Sequence, residues 1–229
     1  MFLTDTEPAK SHKHLASHLV FSLDGEMEWT VAGERVSCRG IYIDADIEHV
    51  GSGNGRFLSF LFVKTSDYAY TIEKRILQDN PYAIFDETLS IQVSEIVDRF
   101  FSQPEQIDKK VLEACMITNI ERRSYDDRVQ AAIDCVESAE TIDSETIDKI
   151  CDTACLSQSR LSHLFKEETG MSLASFLSFE KLRKTYHYLL MGDNITNCCI
   201  RAGFDTSSHC ATTCNRMFGI SLKKVSLMQ

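Results

Sequence analysis

The run from Ile147 to Gly170 reads I-D-K-I-C-D-T-A-C-L-S-Q-S-R-L-S-H-L-F-K-E-E-T-G, and it limits the fold of this 229-residue chain more tightly than any other stretch. Ile147, Ile150 and Ala154 recur at helical spacing, and Leu161, Leu164 and Phe165 repeat the pattern one helix later. Each segment therefore carries one apolar stripe, and two such stripes bury each other. Between them Ser157 has the hydroxyl that caps a new helix, so the spacing predicts helix, tight turn, helix. The second helix then presents Ser159, Ser162, His163 and Lys166 away from its core. Those side chains suit base edges and phosphates when such a helix lies in a major groove. By pattern alone, a DNA-reading unit and an ordinary pair of packed helices fit equally well.

A second, related unit follows. Ile195 to Phe204 reads as a short helix ending near glycine, and Asp205 to Gly219 begins with capping residues and ends at another glycine. Leu173 to Met191 forms a long amphipathic connection, with Phe176, Leu177, Leu182, Leu189 and Leu190 available to a core. Two helix pairs on one connecting helix can reach successive major-groove faces, roughly one helical turn apart.

From Asp126 to Val225 the chain resembles the DNA-binding domain of the AraC/XylS family of transcription regulators. The resemblance rests on L-S-Q-S-R-L-S-H-L-F-K-E-E-T-G-M-S at Leu156 to Ser172, on K-L-R-K at Lys181 to Lys184, and on A-G-F at Ala202 to Phe204 with F-G-I-S at Phe218 to Ser221. It implies two readers per subunit. Ser159, Ser162 and His163 are then the base-facing positions of the first, and Ser207, Ser208, His209 and Thr212 those of the second. Ser157, Arg160, Lys166, Arg201, Lys223 and Lys224 are the candidates for phosphate. The second reader departs from the family pattern: Cys210 and Cys214 stand where large apolar residues are usual, Thr212 where arginine is frequent, and Leu222 where proline is usual. Smaller side chains bury less apolar area, so a looser second reader is expected, with most discrimination in the first.

The formal net charge of −10 argues against DNA binding until its distribution is read. Asp126 to Asp148 holds eight acids and one base, whereas Lys149 to Gln229 holds ten Lys or Arg against six Asp or Glu. Phosphate contact needs only a local basic face, for which Lys181, Arg183, Lys184 and Arg216 are further candidates.

The N-terminal part has another character. Leu19–Gly25, Met27–Val31, Glu34–Cys38, Ile41–Ile43 and Phe57–Val63 are short β-rich runs separated by turn residues. The order of His14, His18, the D-G turn, Gly33, Gly40 and His49 resembles the cupin-type sensor domain of many AraC relatives, which implies a small β-barrel. His12, His14, His18 and His49 line an effector pocket or hold a transition metal on this reading. No other cofactor is expected. Thr88 to Phe101 and Pro104 to Arg122 read as two amphipathic helices. The family resemblance implies that Ile107, Val111, Leu112 and Cys115 mediate dimerisation, while packing on the chain's own sheet is the alternative.

The expected fold is α+β. Residues 1–86 form a cupin-like barrel, 87–123 a helical dimerisation and linker segment, and 124–229 an all-α domain with two helix-turn-helix motifs joined by a long helix. The expected protein is a cytoplasmic transcription regulator, an activator by the family's prevailing mode. Its partners would be promoter DNA, RNA polymerase, a second copy of itself, and a small-molecule effector or regulatory protein, with no membrane. Nine cysteines in a reducing compartment read as thiols rather than disulfides. Cys151/Cys155 and Cys210/Cys214 are spaced as helix-face pairs that a thiol switch would need. The chain shows no nucleophile constellation, phosphate loop or paired-carboxylate signature. The reading of a different class is a cupin metalloprotein or metalloenzyme fused to a DNA-binding module.

Overall fold

The computed structural model describes residues 2–5 and 11–218. The chain divides after Arg123 into two compact units.

The first unit is built on two antiparallel sheets. The larger has five strands in the order β1(Phe2–Asp5), β7(Arg56–Val63), β2(Ala16–Ser22), β5(Gly40–Ile43) and β8(Tyr82–Phe85). The smaller has three, β4(Glu34–Cys38), β3(Met27–Val31) and β6(His49–Ser52). Side chains alternate across a strand, so a sheet covered on both faces needs nearly continuous apolar runs. Leu19, Phe21, Tyr42, Leu58, Phe60 and Phe62 point to one face of the larger sheet, where they meet Val93, Val97, Ile107 and Val111 of the helices. Val20, Ile41, Ile43 and Phe57 point to the other, where they meet Met27, Val31 and Cys38 of the smaller sheet. Those helices are α2(Glu87–Phe100) and α3(Pro104–Ala114), preceded by α1(Asp67–Ile72), which runs into a five-residue π-helical turn at Glu73–Leu77.

Three expectations are corrected here. The closed barrel is absent among the described residues: the large sheet turns one face to helices and only the other to the small sheet, so its strands stay open. The stripe assigned to dimerisation is used internally. Ile107, Val111 and Cys115 are buried in the unit's own core, and Leu112 packs against it. The second helix also stops eight residues short of Arg122. Met116 and Asn119 adopt left-handed backbone, and the Arg75 guanidinium donates to the carbonyls of Thr118 and Asn119, each at 2.9 Å.

The second unit is helical: α4(Asp127–Ser138), α5(Ser144–Ala154), α6(Gln158–Thr169), α7(Leu173–Leu190), α8(Ile195–Arg201) and α9(Ser207–Phe218). Each of α4 to α8 starts on a side-chain cap, from Asp126, Asp143, Ser157, Ser172 and Asn194 in turn. Helix α7 is the spine, burying Phe176 and Leu182, and it has both α6 and α8 packed against it.

Candidate nucleic-acid interface

Helices α5 and α6 form the first pair. Cys155 closes α5 in left-handed backbone at φ 51°, and the Leu156 amide reaches back to the Cys151 carbonyl at 3.0 Å. This arrangement satisfies the last carbonyls of a helix and turns the chain sharply. Ser157 then accepts the Arg160 amide and α6 begins. The buried seam is Ile150, Ala154, Leu161 and Phe165, with the Phe165 ring 5.1 Å from Phe176. With that face committed, Gln158, Ser159, Arg160, His163 and Lys166 are exposed, and Ser162 is half-buried beside them. The first pair thus presents the polar face expected of it, although Ser157 serves as helix cap besides being available to phosphate.

The second pair repeats the construction. The Phe204 amide reaches the Cys199 carbonyl at 3.0 Å, with Gly203 at φ +100° in the role of Cys155. The cap of α9 is Thr206, whose hydroxyl accepts the His209 amide at 3.1 Å. The capping relation places His209 where the first pair has Arg160. Thr212 then corresponds to His163, Asn215 to Lys166, and Cys210 and Cys214 to Leu161 and Phe165. Ser208, His209 and Thr212 are exposed and Ser207 is half-buried. The second face is therefore polar and nearly uncharged. Cys210 and Cys214 are buried, and replacing a leucine and a phenylalanine by thiols forgoes roughly 1–2 kcal/mol of burial per site.

Burial raises the Cys214 thiol to about 12 and pushes Cys210 higher still. A thiol held protonated is a poor nucleophile, and within the core this pair packs as small apolar groups. Cys155 is exposed, and burial raises Cys151 modestly.

Several basic candidates are structural. Lys184 is buried and donates to the Glu137 carbonyl at 3.1 Å. Lys181 donates to the Gly203 carbonyl, and Arg183 pairs with the buried Glu180 at 2.7 Å. Arg201 lies 4.0 Å over the Tyr188 ring and 3.3 Å from Asp193, so it is exposed but already partnered. Lys223 and Lys224 lie outside the described residues.

In the first unit the structure gathers the four histidines. His14 lies 4.9 Å from His49, 5.5 Å from His12 and 4.7 Å from His18, ring centre to ring centre. The backbones of His12 and His49 are paired, at 3.0 and 2.9 Å. The His14 Nδ1–H donates to the Ala16 carbonyl at 2.7 Å, and the His49 Nδ1–H to Ile47 at 2.8 Å. Because a carbonyl only accepts, each remaining Nε2 is a bare lone pair; both are buried without a hydrogen-bond partner, as is Nδ1 of His18. Burial and mutual repulsion lower His14 to about 3, and burial lowers His49 to about 4.

Fold and surface together define a helix-turn-helix unit joined to a sheet-based unit. Residues 150–226 match the helix-turn-helix domain family, and this domain is of the AraC type. The chain is accordingly a DNA-binding transcription regulator whose C-terminal domain is of the AraC type. Across 99% of its length it is similar in fold to ToxT from Vibrio cholerae O395, at TM-score 0.62 and 12% identity, covering 96% of that chain. Wild-type ToxT from Vibrio cholerae strain SCE256 with an unsaturated fatty acid bound is similar at TM-score 0.60 and 12% identity, over 99% of this chain and 93% of that one. No curated protein matches the sequence. Among the described residues no helix is long and apolar enough to cross a membrane.

Proposed function

We propose that the chain is a transcription activator that reads promoter DNA with α6 and α9 as two unequal recognition helices. The observation that carries this reading is the polar face of α6, on which Ser159, Arg160, His163 and Lys166 are exposed while Leu161 and Phe165 lock the helix onto α5 and α7. In this scheme Ser159, Ser162 and His163 meet base edges, and Arg160, Lys166 and the Ser157 hydroxyl meet phosphates. Ser207, Ser208, His209 and Thr212 of α9 meet a second groove face with weaker discrimination, because they carry little charge. Arg201 reaches a phosphate only by leaving Asp193. RNA polymerase is the partner an activator requires. A homodimer would have to pair through a face other than the Ile107/Val111 stripe, which the core already uses.

The first unit is the regulatory one, biasing whether both helices engage together. The fatty acid bound to ToxT in a structure of the same fold supports a small-molecule input over a protein one. Mapping bound sites across the genome in cells, together with the salt dependence of binding to recovered fragments, tests the proposal. A recurring sequence element upstream of genes, bound with a log–log salt slope corresponding to several phosphates, is the expected result. Uniform occupancy with no recurring element would refute it.

A further inference from the structure

We propose that His12, His14 and His49 form a binding site for a divalent first-row transition ion, Zn²⁺ in the first instance, which clamps the segment around residues 12–14 onto β6. The available ligand nitrogens of these three residues lie within 4.8 Å of one another. His14 and His49 are buried, with Nε2 of each stripped of any hydrogen-bond partner by burial and fixed as an acceptor by the Nδ1–H bond on the far side of the ring. Two buried acceptors cannot satisfy each other; a donor or an electrophile placed between them satisfies both.

A proton shared between the rings would leave a charge buried beside a third imidazole. A metal ion meets the same lone pairs without requiring them to be protonated. The outward Nδ1–H to a backbone carbonyl is the support that metal-bound histidines normally have, since it sets both tautomer and ring orientation. Neutral imidazoles with no carboxylate in the set favour zinc, nickel, cobalt or copper over calcium and magnesium, which prefer oxygen. Tetrahedral zinc at bond lengths of about 2.0–2.1 Å wants its nitrogens about 3.3 Å apart, a contraction that small ring rotations supply. Three protein ligands leave a fourth position open to water or a small ligand. His18, whose ring stands edge-on to His14 at 4.7 Å, walls the site on the β2 side.

The clamp has a mechanical meaning. His12 meets β6 through a backbone bridge to His49, two hydrogen bonds of 3.0 and 2.9 Å, and His49 belongs to β6 and pairs with Val31 of β3. An ion bound to all three would add three bonds to that bridge.

The test uses the full chain, stripped with chelator and titrated with Co²⁺ and Zn²⁺. Trp29, the sole tryptophan, lies 6.0 Å from the His49 ring and reports on occupancy. The expected result is quenching of Trp29 that saturates at one Co²⁺ per chain, with visible ligand-field bands and no intense near-ultraviolet thiolate band, and a higher melting temperature for the zinc-loaded chain. His14→Ala and His49→Ala should each weaken binding by at least roughly tenfold. His12→Ala, which alters a half-buried side chain and spares the core, should do the same with circular dichroism unchanged. His163→Ala and His187→Ala should leave binding as it was. Binding that survives His12→Ala and His49→Ala, a thiolate band in the cobalt complex, or no saturation at one equivalent would overturn the proposal.

Discussion

Replacing Gly203 by alanine separates two costs that are usually confounded. Gly203 sits at φ +100° in the joint between α8 and α9, and Gly192 sits at φ +94° after α7. Both backbones are uncomfortable for an L-residue, so alanine should cost about 1–2 kcal/mol at either position. Their surroundings differ. A Cβ on Gly192 would meet nothing within 4 Å, while one on Gly203 would stand 2.0 Å from the Ile142 carbonyl oxygen. That oxygen is backbone and cannot rotate away. Ile142 is itself wholly buried, its amide reaches Ala202, and Thr141 bonds the Arg201 carbonyl at 2.9 Å. Relieving the clash must open this junction and withdraw Ile142, so Gly203→Ala should cost about 3–5 kcal/mol in all, against about 1–2 for Gly192→Ala. Urea unfolding of the two variants, followed by far-ultraviolet circular dichroism, measures the difference. Equal losses within about 0.5 kcal/mol would show that close packing of the α8–α9 joint on Ile142 does not exist.

Four further outcomes follow from the same structure. Lys184→Ala should lower the melting temperature while leaving the salt slope of DNA binding unchanged, because its ammonium serves the Glu137 carbonyl; fluorescence anisotropy across a salt series decides this. Lys166→Ala should weaken all duplexes alike and reduce that slope by about 1, whereas His163→Ala should relax preference at a single base pair, by about 1–3 kcal/mol in matched and mismatched duplexes. Ile107→Ala should destabilise the first unit by about 2–5 kcal/mol, through a cavity rather than a lost interface, so chemical denaturation should shift with no change in sedimentation. In chelator, the first unit should weaken on acidification: His14 and His49 have folded values of about 3 and about 4 against an ordinary 6.5. Below pH 6.5 the unfolded chain binds protons that the folded chain refuses, so stability present above that value falls away toward pH 4. The loss amounts to about 2 kcal/mol per histidine by about pH 5, read from melts across that range.

The legibility of these features in the sequence follows the distance between partners. The α5–α6 pair is readable because its cap, its turn and its two stripes lie within 24 consecutive positions, Ile147 to Gly170. The apolar runs of the sheet unit are equally readable, but the face each run covers is not. Leu19 and Val20 are adjacent in sequence and belong to different cores, one under helices and one under the small sheet, and that division is what keeps the barrel from closing. The early end of α3 depends on Arg75, more than 40 residues away from the carbonyls it binds. Lys181 and Lys184 read as phosphate ligands because their partners, the carbonyls of Gly203 in the α8–α9 joint and of Glu137 in α4, are backbone atoms far off in the chain. Four histidines on a short stretch and one later strand could be noticed in the sequence, whereas the convergence of bare Nε2 atoms depends on the carbonyls that take their Nδ1 protons.

The most direct test of the central claim is selection of bound duplexes from a randomised pool by the purified full chain at moderate salt, repeated with α6 altered at Ser159 and His163. A DNA-reading α6 predicts one enriched element for the native chain. Its stronger half should lose definition when α6 is altered, and its weaker half, about ten base pairs away, should persist. Recovery of no enriched sequence, or of an element indifferent to α6, would contradict it.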